Sequence, residues 1–138
     1  VDTAPFAEDD SYSEAERKAL KSFKKTFINP EILEETGEEW AFNEGCLSIP
    51  NVREDVLRKP HIKIRYQDEN FETQTEEFDG LIARVIQHEY DHIEGVLFTD
   101  KVSSLKKRLL KSKLASISKG KISVDYRMRF PKLSKKRF

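Results

Sequence analysis

This sequence predicts a single α+β domain, with antiparallel or mixed strands arranged around one central helix. Three observations carry that prediction. Between residues 24 and 78 apolar residues recur mostly at every second position, in runs punctuated by Gly, Pro and Asp. From Leu81 to Glu94 the period changes, and apolar residues fall at 81, 82, 85, 86 and 93, as one face of a helix requires. The length, 138 residues, is enough for one hydrophobic core and short for two. Interleaved strands and few helices make an α+β arrangement.

The elements follow in order. Residues 7–13 (AEDDSYS) read as a loop. Ser13 followed by Glu16 is a capping-box pattern, so EAERKALKSF begins a short charged helix. Lys24–Leu33 is rich in β-formers, but Pro30 cannot donate to a ladder, so this strand lies at an edge or is bulged. Gly37 marks a turn, and Glu39–Leu47 reads as a strand with Trp40 and Phe42 on one face. Residues 48–51 (SIPN) read as a turn. Val52–Arg58 and His61–Gln67 are period-two strands broken at Pro60, the second with Ile62, Ile64 and Tyr66 on one side. Asp68-Glu69-Asn70 is hairpin chemistry, and Phe71–Phe78 returns as a half-exposed strand. Asp79 fits the N-cap of the central helix and Gly95 its C′ position. Leu97–Val102 reads as extended and Ser104–Leu114 as a basic amphipathic helix ended by Gly120. Lys121–Phe130 fits a last strand, and PKLSKKRF a frayed tail.

Composition excludes several classes. Charged residues make up 36% of the chain and hydrophobic ones 37%. No apolar run approaches the length of a membrane span, and VDTAPFAEDD lacks the apolar core of a signal peptide. A lone cysteine, Cys46, forms no internal disulfide and favours a reducing, cytoplasmic compartment. The net charge of zero conceals a split. Residues 1–100 hold 24 acids and 11 bases, whereas residues 101–138 hold one acid, Asp125, and 14 bases. Two readings follow: the halves attract within one fold, or an acidic body carries a basic 103–138 region that docks on something anionic.

The sharpest chemical signal is His88-Glu89-Tyr90-Asp91-His92. Histidines at i and i+4 share one helix face, so both rings can reach one ion. Glu89 lies beside them, where a general base for an activated water belongs. The flanking Ile86 and Ile93 speak against a merely solvated face. The continuation to Gly95 tracks the metzincin proteases, but Phe98 stands where their third histidine is required. The other histidine, His61, adjoins Pro60, and acids downstream are few (Glu94, Asp100, Asp125). That leaves Cys46, in Glu44-Gly45-Cys46-Leu47-Ser48, where Gly45 permits close backbone approach. A Cys-His-His site keeps a fourth position open for water, as a catalytic centre does.

EGCLS at 44–48, followed some forty residues later by QHEYDH at 87–92, resembles the peptide deformylases, with the likeness running from about Thr26 to Val102. The resemblance implies a small α+β domain with sheets wrapped around the histidine-bearing helix. It implies hydrolysis of the N-formyl group from the terminal methionine of newly made chains. It implies one divalent metal, ferrous iron by preference, with nickel, cobalt or zinc as replacements. Carried over, Cys46, His88 and His92 bind the metal and Glu89 shuttles the proton. The Leu47 backbone N–H holds the oxyanion. Glu44 and Gly45 line the substrate cleft, Arg53 is its arginine, and Ile86 with Leu81 forms the apolar wall for methionine. Ile49 and Pro50 shape the turn. The family's third motif, a glycine-rich GxGxAAxQ segment whose glutamine is the second oxyanion donor, is not among these residues. The resemblance therefore predicts a fragment of a longer polypeptide, with that segment ahead of Val1.

Two other functions compete. One is a zinc endopeptidase, opposed by Phe98. The other is a catalytically impaired, basic-tailed module whose Lys106–Lys113 helix contacts the ribosome.

Overall fold

The computed structural model describes residues 1–130, so the tail read from PKLSKKRF lies outside the described residues. The described chain divides into two compact units, one made of Val1–Ala41 with Leu57–Leu97, the other of Phe42–Val56 with the residues from Phe98 onward.

The first unit opens with a short 3-10 helix, Ala4–Glu8, in a stretch read partly as loop. Its start is Pro-bearing, and Thr3 is held by its own hydroxyl donating to Leu20 O at 2.7 Å. Helix α1 (Glu14–Ser22) follows with the capping box in place. The Glu16 N–H reaches the Ser13 hydroxyl, and the Glu16 carboxylate accepts from the Ser13 N–H. Strand β1 (Ile28–Thr36) begins four residues later than its pattern suggested. It is both an edge strand and an irregular one. It lies beside the strand His61–Gln67 at one edge of a three-stranded sheet, and the antiparallel register shifts twice, between Ile28 and Glu31 and between Ile32 and Glu34. Pro30 sits in the first irregularity, beside Asn29 at φ 47°. Gly37 makes the turn at φ 95°, and a Cβ there would stand 2.6 Å from Pro60 Cγ.

Strands β4 (His61–Gln67) and β5 (Thr73–Asp79) form a regular antiparallel pair, His61 opposite Asp79 through Gln67 opposite Thr73. Period two puts Ile62, Ile64 and Tyr66 inward, where they join Ala83 and Ile86 of helix α2 (Gly80–Ile93) in one core. Phe23, Phe27 and Phe78 close around this cluster, with ring centroids 5.5 Å apart for Phe23–Phe78 and 4.5 Å for Phe27–Tyr66. Asp79 occupies the N-cap of α2 without a side-chain capping bond, and Gly95 turns the chain at φ 75°.

Strands β2 (Trp40–Cys46) and β3 (Ile49–Arg58) make a separate two-stranded sheet. The turn between them is Leu47–Ser48. The SIPN turn reading is therefore corrected: Ile49 and Pro50 open β3 and are buried. In the second unit Ile49, Val52 and Val56 pack with Phe98, Val102 and Ile117, and Cys46, Leu110, Leu114 and Ile122 lie against them. Phe98 is thus a core residue, not a ligand position. Leu97–Val102 is not extended, because Phe98–Asp100 forms a 3-10 turn that drives Phe98 into this core. Helix α3 (Ser104–Ser118) runs four residues beyond its predicted end, to a left-handed Gly120. Lys121–Phe130 is not a strand. Its alternation is real, but no sheet edge pairs with it among the described residues; Ile122 packs into the core instead, and the Phe130 ring folds to 3.0 Å from where a Gly120 Cβ would be. No helix among the described residues is long and apolar enough to cross a membrane.

Candidate functional site

Helix α2 presents the two histidines one turn apart. The His88 and His92 rings stand 5.1 Å between centroids at 77° to each other, both half-buried. The helix is held by polar contacts on its inner side. The Gln87 amide, buried, donates to Lys59 O at 3.1 Å and to Ala83 O at 3.2 Å. Arg84 donates to Trp40 O at 2.7 Å and lies 4.2 Å over the Trp40 ring. Asp91 receives Arg58 Nη1 at 2.6 Å, with side-chain exposures of only 13% and 2%.

Glu89 is exposed and, with His92, borders an apolar cleft of about 260 Å³ whose walls include Phe27, Ile64 and Ile86. Ile86 is buried and lines this cleft. Leu81 is buried in the first turn of α2 and does not line this cleft. Of the two isoleucines flanking the histidines, Ile86 is buried but Ile93 is 63% exposed, so that end of the helix does face solvent.

In the second unit Cys46 ends β2 as a half-buried thiol whose Sγ lies 3.0 Å from Ser48 Oγ. Glu44 is buried. Gly45 meets the expectation of a close approach, since a Cβ would sit 2.9 Å from Arg53 Nη1. Arg53 is exposed on β3. Its Nε donates to Asn43 Oδ1 at 2.8 Å and its Nη2 to Asn43 O at 2.5 Å. The Leu47 side chain is 76% exposed, and its carbonyl accepts from the Tyr126 hydroxyl at 2.8 Å. A cleft of about 700 Å³ runs past Cys46, Leu47 and Arg53.

Cys46 in the second unit and His88 and His92 in the first are each half-buried, and together they offer the donor types of a metal site. Two imidazoles and a thiolate match the preferences of iron, nickel, cobalt and zinc over calcium or magnesium. His61, the other histidine weighed as a ligand, is exposed on β4 opposite Asp79 and is not in that group.

Sequence reasoning missed Arg58, Asp91 and Tyr126. Arg58 had a signal: it shares parity with Val52 and Val56 along β3, so an arginine at an inward position demanded a buried partner. Asp91 stands inside HEYDH, next to a candidate ligand, and its own partner is Arg58, 33 residues away. Tyr126 had no local signal, because its partner is 79 residues away.

A family profile described as polypeptide deformylase matches residues 6–108. A peptide deformylase of Christiangramia forsetii is 69% identical over 137 residues, covering 99% of this chain and 70% of that protein. One from Flavobacterium johnsoniae is 63% identical with the same coverage. Among solved structures, an inhibitor complex of Arabidopsis thaliana peptide deformylase 1B shares 32% identity at a TM-score of 0.69, covering 75% of this chain and 59% of that one. A Plasmodium falciparum peptide deformylase with inhibitor shares 35% identity at a TM-score of 0.64, covering 67% and 60%. The chain thus spans about 70% of those two curated relatives and about 60% of those two structures.

Proposed function

This chain belongs to the polypeptide deformylase family, and on that premise we propose that it hydrolyses the N-formyl group from the terminal methionine of newly made proteins. Water and the formyl amide give formate and a free amine. The observation that carries the reading is the α2 arrangement: two imidazoles one turn apart, with Glu89 between them in sequence and at the rim of an apolar cleft. The methionine side chain enters that cleft, against Ile86.

On this reading Cys46, His88 and His92 would hold one divalent metal, ferrous iron by preference, with nickel, cobalt or zinc able to substitute. Such an ion would supply Lewis acidity, lowering the pKa of water and polarising the formyl carbonyl. Glu89 takes the proton from the attacking water and passes it to the leaving nitrogen. The Leu47 N–H donates to the carbonyl oxygen as the carbon becomes tetrahedral. Gly45 leaves room for the Arg53 guanidinium, and Glu44, Gly45 and Arg53 line the peptide path. The compartment of this reading is the cytoplasm. A second, compatible role has the lysines and arginine of α3 contacting the ribosome where substrates emerge; salt-sensitive ribosome pelleting tests it.

The function is tested by formate release from formyl-Met-Ala-Ser by the full-length protein. Glu89→Ala is expected to retain one equivalent of metal and lose activity, and Cys46→Ser to lose the metal. Full activity in Glu89→Ala refutes the assignment of the base. Casein cleavage without formate release would instead make the protein an endopeptidase.

A further inference from the structure

The segment that follows α3 was expected to be a strand, and its actual course gives it a different use. Gly120, at φ 71°, turns the chain back, and the Lys121 N–H closes on Ser116 O at 2.9 Å. Ile122 then packs into the core beside Cys46. From this anchor Ser123, Val124, Asp125 and Tyr126 form one wall of the cleft whose other wall is Cys46, Leu47 and Arg53. At the end of the wall the Tyr126 hydroxyl donates to the Leu47 carbonyl at 2.8 Å.

Leu47 sits in a two-residue turn with its side chain 76% exposed, so side-chain packing does little to fix the orientation of its backbone. The peptide groups on its two sides are linked through its φ and ψ alone. Pinning the carbonyl on the far side restricts ψ and steadies the N–H on the near side. The Cys46–Ser48 contact at 3.0 Å braces the same turn from its other end. We infer that Tyr126 is a positioning residue, holding the Leu47 carbonyl so that the Leu47 N–H stays aimed at the developing oxyanion. The inference rests on the deformylase reading and deepens it.

The test is Tyr126→Phe in the full-length, metal-loaded protein. The loss of one neutral hydrogen bond that sharpens only the transition state lowers kcat about three- to tenfold, with KM and metal content unchanged. Amide hydrogen exchange gives a readout independent of turnover: the Leu47 N–H exchanges several-fold faster in the variant while amides of β4 and α2 keep their protection. Unchanged kcat with unchanged Leu47 protection overturns the role of Tyr126, as does a rise in KM alone or a fall in activity that tracks metal loss. An unsubstituted protein that releases no formate overturns the deformylase reading instead, while the exchange measurement still decides whether Tyr126 holds the turn.

Discussion

Asp91→Asn removes a charge from inside the first unit without changing the shape of the side chain. In the folded chain the Asp91 carboxylate meets Arg58 Nη1 at 2.6 Å, and the arginine is only 2% exposed. With charge centres roughly 4 Å apart and an effective dielectric of about 20, the attraction is about 4 kcal/mol. This agrees with the 3–5 kcal/mol or so typical of breaking a buried pair while one partner stays behind. A domain of this size changes its Tm by about 3–4 °C per kcal/mol, so a drop of about 10–16 °C is expected. Calorimetry in EDTA, with wild type and variant compared, measures it free of any contribution from bound metal. The double variant Arg58→Met, Asp91→Leu is expected to recover most of the loss, because replacing both charges removes the buried-ion penalty. A loss below about 1 kcal/mol for Asp91→Asn would refute the reasoning, and would mean that the other contacts of Arg58 carry its charge.

Three further outcomes follow. Ile86→Ala, at a residue 2% exposed in the core under α2, is expected to cost about 2–5 kcal/mol by urea unfolding; a smaller cost would show that the cleft beside it collapses to fill the void. Gly37→Ala places a Cβ 2.6 Å from Pro60 Cγ at φ 95°, so a loss of at least about 1–3 kcal/mol is expected by thermal unfolding, and wild-type stability would contradict it. Glu76 is held below the usual carboxylate range, chiefly by the Lys25 ammonium at 2.5 Å and then by the Tyr66 hydroxyl. Its stabilisation is therefore present above the ordinary glutamate range and is lost as pH falls through the depressed value. Glu76→Gln is expected to flatten the acid side of the stability profile by under about 1 kcal/mol, since the carboxylate is 39% exposed; an unchanged slope in acid titration would count against it.

The legible parts of the fold were those in which one local rule had no rival. Pro60 between two alternating runs fixed the junction of β3 and β4 to the residue. Pro30 in a β-rich run called for an edge or a bulge, and β1 is both. The errors came where a local rule met tertiary demand. Pro50 looked like a turn residue, yet it enters β3 because Ile49 and Val52 are needed in the core. Lys121–Phe130 alternates as a strand should, but alternation supplies no neighbouring edge. The candidate ligands were readable because histidines at helical spacing and a lone cysteine carry their chemistry in their types. The contacts of Arg53 and Tyr126 were not, since they depend on which backbone carbonyl lies opposite after folding.

The three-stranded sheet also bears on how this protein keeps to itself. One rim is β1, where Pro30 offers no N–H and Asn29 bends the backbone out of line. The other is β5, which carries Glu76, Glu77 and Asp79 along seven residues. A neighbouring chain seeking to extend the sheet meets a broken template on one side and a row of negative charge on the other, so both borders discourage self-assembly into fibrils.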